Sequence, residues 1–159
     1  MRALMKVRDV LGGYVGGLLT GALLMGGVSW ATAEASPELK GSVIGAEGLE
    51  RRQLGGGKAE IVHLVRGQEA YLGRLSLKGG VNVPTHRDPT EEYLIIERGR
   101  GVIKIDGVEH TLQPGSVVYM PANAEVSFTN SDQPLVALQV FAGPKSADKY
   151  RKWSLVQAP

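Results

Sequence analysis

Beyond residue 58 apolar and polar positions exchange in short runs, at 61–65, 71–77, 93–97, 102–105, 108–112, 117–120, 126–129 and 135–141. These runs are rich in β-branched residues, and no long 3.6-residue period interrupts them, so each is predicted to be a β-strand. Asp106-Gly107 separates two of the runs and is a strong hairpin signal, because both central residues of that turn need positive φ. Pro114-Gly115 marks another turn. Glu125 to Thr129 alternates cleanly, which turns Val126 and Phe128 toward the interior. Tyr119 shares parity with Val117 on its run and is expected to line the same interior, with its hydroxyl free for a ligand. Consecutive short strands without helices between them predict an all-β fold, an antiparallel sandwich or barrel of jelly-roll kind. The 22 glycines and 8 prolines fit a fold with many turns.

The first part of the chain has a different pattern. Residues 10–33 carry no charge, and Arg2, Lys6 and Arg8 stand just before them. This is the charged start and apolar stretch of an export signal, with Ala31 and Ala33 as an A-x-A cleavage site and Ala33 and Ala35 as a second choice. The apolar run is also long enough to cross a bilayer as a helix, so residues 1–35 are read as a signal peptide or a membrane anchor. Both readings place the rest of the chain outside the cytoplasm, periplasmic or secreted; a buried helix of a cytoplasmic protein is the third reading. Residues 36–57 are polar and glycine-rich, with Gly55, Gly56 and Gly57 in a row, and read as a linker or N-terminal arm before a domain over 58–159.

Charge and composition narrow the function. The chain has 18 basic and 16 acidic residues; three of the bases and one acid, Asp9, precede residue 34, which leaves 15 against 15. A domain without net charge offers no electrostatic reason for a nucleic-acid partner. The absence of cysteine excludes disulfides, thiolate metal sites and a cysteine nucleophile. There is also no G-x-S-x-G elbow and no phosphate loop of the G-x-x-x-x-G-K-[ST] form. Chemistry, where present, belongs inside the barrel.

From Gly80 to Gly99 the chain reads GVNVPTHRDPTEEYLIIERG, and from Gly115 to Asn130 it reads GSVVYMPANAEVSFTN. The first segment resembles the first motif of the cupins: Gly, five residues, His-x-His, three or four residues, Glu, six residues, Gly. Gly80, His86, Glu92 and Gly99 fall on their places. The second is similar to the second cupin motif at Gly115, Pro121 and Asn130. The resemblance implies a cupin jelly-roll barrel and, as cupins often do, a homodimer. It also implies a divalent metal held by two histidines and a glutamate of motif one and a histidine of motif two. Here Asp88 replaces the second histidine, Val126 stands at the motif-two histidine, and Asn123 replaces a glycine.

The metal-ligand candidates are therefore His86, Asp88 and Glu92, with Glu91 as a substitute. One imidazole with two carboxylates is a hard donor set, suited to Mn or Fe(II), with Ni and Zn as further candidates. The alternative is a metal-free cavity in which these side chains satisfy one another. Gln139 stands within the apolar run 135–141, where a buried amide must find a partner: a metal, a ligand or neighbouring backbone. With Tyr119, Val126 and Phe128 it forms the candidate ligand pocket. His63 and His110 are read as packed or surface histidines, and Arg87, Glu97, Arg98 and Arg100 as a solvated rim. The tail from Lys149 to Trp153 is read as packing Trp153 on the barrel, or else touching membrane headgroups beside a retained anchor. Two functions remain open: a metal-dependent small-molecule enzyme of dioxygenase or isomerase type, and a metal-free ligand-binding or structural barrel.

Overall fold

The computed structural model describes residues 41–157. Each of the eight apolar runs lies within a strand: β2 (Ala59–Arg66), β3 (Ala70–Leu77), β5 (Glu91–Arg98), β6 (Gly101–Ile105), β7 (Val108–Leu112), β8 (Val117–Met120), β9 (Val126–Asn130) and β10 (Leu135–Ala142). Three further strands complete the fold: β1 (Arg51–Leu54), β4 (Val83–His86) and β11 (Ser154–Leu155). A seven-stranded sheet has the order β11-β1-β2-β3-β10-β5-β8, and a four-stranded sheet the order β4-β9-β6-β7. Leu77, Ile96, Met120 and Leu135 of the first sheet and Ile103, Leu112 and Phe128 of the second belong to one buried cluster. The strands are too apolar to stand alone, and closing one sheet on the other removes their inner faces from water.

Local chemistry fixes the turns. Asp106 and Gly107 both take positive φ, 46° and 87°, and β6 and β7 pair in register from Ile105↔Val108 to Gly101↔Leu112. The glycine triplet at 55–57 also turns a hairpin: all three residues have positive φ, and Arg51 to Leu54 pair with Val62 to Ala59. The sheet therefore begins inside the segment read as a linker over 36–57. Its first strand was illegible because Arg51, Arg52 and Gln53 break the apolar alternation that marks the others.

The chain leaves β10 into a 3-10 helix, Pro144–Lys152. Ala147, Tyr150 and Trp153 recur every third residue, the period of that helix. Ala147 and Tyr150 are buried with Ile61, Tyr71 and Phe141 in a second cluster, and Trp153 packs against both clusters. Trp153 thus packs on the barrel from the end of a helix, and β11 comes directly after it to pair with β1. The candidate signal or anchor at residues 1–35 lies outside the described residues, and among the described residues no helix is long and apolar enough to cross a membrane.

Candidate metal centre and ligand cavity

Between the sheets lies a cavity of about 330 Å³, lined mostly by apolar side chains that include Leu75, Leu94, Ile96, Ile103, Met120, Val126 and Phe128. Its polar lining is His86, Glu92, Gln139, Lys149, Tyr150 and Asn82. A larger surface groove of about 740 Å³ lies outside the barrel, between residues 42–49 and strands β2 and β3. Its two arginines, Arg51 and Arg74, are already paired with Glu60 and Glu97, and none of His86, Asp88 and Glu92 lines it.

His86 ends β4 directly opposite Val126 of β9. Its Nδ1 lies 2.9 Å from the Pro84 carbonyl oxygen. A carbonyl only accepts, so Nδ1 carries the hydrogen and the neutral ring keeps its lone pair on Nε2, the state a metal ligand requires. Asp88 lies beyond the end of β4, so it reaches the site from a loop and not from the regular strand face. The Asn123 amide donates to the Asp88 carbonyl at 2.7 Å, which ties that loop to the turn before β9. Asn123 has φ 63°, a left-handed conformation that asparagine tolerates better than most residues, and so fills the place of a motif glycine.

Glu92 points inward from β5 and is 6% exposed. Gln139 Nε2 donates to Glu92 Oε1 at 2.6 Å, and the Tyr150 hydroxyl donates to Gln139 Oε1 at 2.6 Å. The buried amide thus finds both partners among side chains rather than backbone, and its oxygen is taken by Tyr150. Burial pushes the Glu92 carboxyl up to about 7, against the opposing pull of the Lys149 charge and the Gln139 bond. Burial also holds the Tyr150 hydroxyl well above its ordinary range, so it remains a donor.

Lys149 completes the group. Its Nζ donates to Asp88 Oδ2 at 2.6 Å, and the same oxygen lies 3.7 Å from His86 Nε2. The ammonium also sits over the Phe141 ring, 4.8 Å from its centroid, which fixes the stem.

Donor atoms of His86, Asp88 and Glu92 lie within 4.8 Å of one another. The set fits a divalent ion on the chemistry of its donors. It comprises one imidazole, with Nε2 free of the Pro84 bond, and two carboxyl groups, each oriented by an outer partner: Pro84 oxygen on His86, Lys149 on Asp88, and Gln139 on Glu92. Three protein donors leave coordination positions for a small molecule.

Two expectations change. Tyr119 does not line the cavity: Val118 and Met120 face inward, while Tyr119 is 49% exposed and donates to Glu91 Oε1 at 3.0 Å on the outer face. The run 117–120 is apolar on both faces, so parity could not choose between them. Glu91 is turned outward with it, accepting from Tyr93 and Tyr119, and is no substitute ligand. His63 bonds the Tyr71 hydroxyl at 2.9 Å, and His110 is exposed, both away from the cavity. Lys149 and Tyr150 are site residues that the sequence pattern did not single out for the cavity. The three-residue spacing of Ala147, Tyr150 and Trp153 was the available signal.

A family model described as "Cupin domain" matches residues 73–141. That stretch of the chain is a cupin domain. Among solved structures, this cupin is similar to an RmlC-like cupin from Shewanella frigidimarina at 15% identity and TM-score 0.59, over 65% of this chain and 92% of that one. It is similar to a predicted oxalate decarboxylase from Thermotoga maritima at 21% identity and TM-score 0.58, over 64% and 99% of the two chains. KdgF from a Halomonas species aligns at 10% identity and TM-score 0.60, over 65% and 94%. At these identities the likeness is one of fold. No curated protein matches the chain by sequence.

Proposed function

We propose that this cupin is exported, holds a divalent metal ion with His86, Asp88 and Glu92, and takes a small organic ligand into its barrel for metal-dependent chemistry. One observation carries the reading: the three donors lie within 4.8 Å of one another, and two of them, His86 and Glu92, line a cavity whose wall is mostly apolar. An ion of the Mn, Fe, Ni or Zn type would supply Lewis acidity toward a ligand oxygen. The chain's own side chains do the rest. Gln139 and Tyr150 hold Glu92 in place, Pro84 sets the His86 tautomer, and the apolar wall keeps bulk water from the reacting group. Export rests on the uncharged run at 10–33 behind three basic residues, which either is cleaved or stays as an anchor. Pairing of two copies rests on the family resemblance, and light scattering of the purified protein tests it against a monomer mass.

A second reading is favoured by Lys149: its ammonium on Asp88 supplies a positive charge from within the chain, and Val126 offers no ligand where cupins often carry histidine. In that case the barrel binds its ligand without metal or turnover. Elemental analysis after growth with Mn, Fe, Ni and Zn separates the two. A near-stoichiometric metal that disappears in His86→Ala supports the metal reading. No metal under any supply, or equal metal in the variant, overturns it in favour of the second.

A further inference from the structure

Lys149 lies outside both cupin motifs, on the 3-10 helix, yet its side chain lines the cavity. Its ammonium has three hydrogens, and Asp88 is its one ion-pair partner among the described residues. Once a divalent ion is held by Asp88 and Glu92, the two carboxylates offset the ion and the Lys149 charge is left over. The Lys149 side chain is 36% exposed, so water screens part of that surplus charge, and an anion in the cavity meets the part turned inward. The Phe141 and Tyr150 rings beneath the ammonium, at 4.8 and 5.6 Å, hold it in place rather than neutralise it. Away from this end the wall is hydrocarbon, from residues such as Leu75, Leu94, Ile103 and Phe128, apart from Asn82, whose Oδ1 already accepts from the Asn130 amide. The volume, about 330 Å³, is at the lower end of small-molecule pockets, so one short molecule fills it.

We propose that the ligand is a small monocarboxylic acid with a hydrocarbon tail, its carboxylate received by Lys149 beside the metal and its tail laid along the apolar wall. This rests on the metal reading above, and it makes Lys149 the specificity-determining residue. A carboxylate accepts from the ammonium and completes the charge balance. The matching primary amide accepts from the same ammonium but brings no negative charge to offset it, and the matching amine brings a second positive charge against Lys149. The tail is chosen by exclusion, since no second polar cluster among the described residues faces the cavity to receive another charged end.

The test titrates hexanoate, hexanamide and hexylamine by calorimetry into the metal-loaded full chain, into Lys149→Met and into Lys149→Arg, with metal content read in every sample. Hexanoate should bind at least about tenfold tighter than hexanamide to the wild type, as expected for an ion pair against a hydrogen bond to an uncharged acceptor. In Lys149→Met the preference should fall to within about twofold while the metal stays bound, and Lys149→Arg should keep most of it. Equal binding of hexanoate and hexanamide in the wild type overturns the proposal, and so does an undiminished preference in Lys149→Met or tighter binding of hexylamine. The wild-type comparison decides the matter even where the methionine variant fails to fold. An absence of metal sinks the metal reading and leaves the hexanoate preference to be read by itself, whereas bound metal without preference sinks the carboxylate.

Discussion

The two cupin motifs have kept different things. Motif one, Gly80 to Gly99, keeps its turns and two of its polar groups: Gly80 and Gly99 hold positive φ, and His86 and Glu92 stand at the cavity with Asp88, in place of the second histidine, beside them. Motif two, Gly115 to Asn130, keeps the backbone alone. Gly115 and Asn123 hold positive φ, the Asn130 side chain donates to the Lys78 carbonyl at 2.8 Å, and Val126 and Phe128 are wall. Backbone geometry and ligand chemistry are therefore separable demands on a cupin motif, and one can be lost while the other stays.

If motif two is structural, its largest effect should be on stability. Phe128→Ala removes a ring that is 8% exposed and should cost about 3 kcal/mol in denaturant unfolding, while metal per chain remains that of the wild type. A loss of metal equal to that in His86→Ala would show that the wall also governs the ion. Next in size, Val126→His restores a nitrogen ligand opposite His86 and should tighten metal binding about tenfold, or about 1.4 kcal/mol. The same change should weaken the metal-free protein by about 1–2 kcal/mol, because the imidazole replaces an apolar side chain in the wall. Unchanged affinity in a competition titration would mean that position 126 does not reach the ion.

The smallest effect tests the seam between the motifs. Asn123→Ala puts a residue with no local hydrogen-bonding side chain at φ 63° and should cost about 1 kcal/mol, with a modest loss of metal affinity because that turn holds the Asp88 carbonyl. Asn123→Gly should stay within about 0.5 kcal/mol of the wild type in both readouts. If alanine and glycine behave alike, the turn is not what positions Asp88.

The same separation explains what could be read from the sequence. Strands that alternate or are continuously apolar were legible, because burial of one face imposes a period of two. β4 was not: it contains Pro84, which cannot donate to a ladder and counts against a strand. Tyr119 was turned the wrong way because Val117 to Met120 are apolar at every position. The grouping of His86, Asp88 and Glu92 was legible because their spacing is local. Lys149 and Tyr150 were not, since they meet Asp88 and Gln139 only after the chain returns across the barrel through a 3-10 helix. The polar partners of a buried amide are set by tertiary contact, and Gln139 by itself announced only that it needed them.

The position of that helix along the chain also sets an order of events. The donors are present by residue 92, but the clamp on Asp88 and the support for Gln139 arrive only with residues 149 and 150, and β11 must still join β1 at the sheet edge. A chain emerging from a ribosome or a translocon therefore passes through a stage in which the pocket is open on that side. Loading of an ion before the last turn is in place would meet a wetter and looser pocket than the finished protein offers, which favours loading in the compartment where folding is completed.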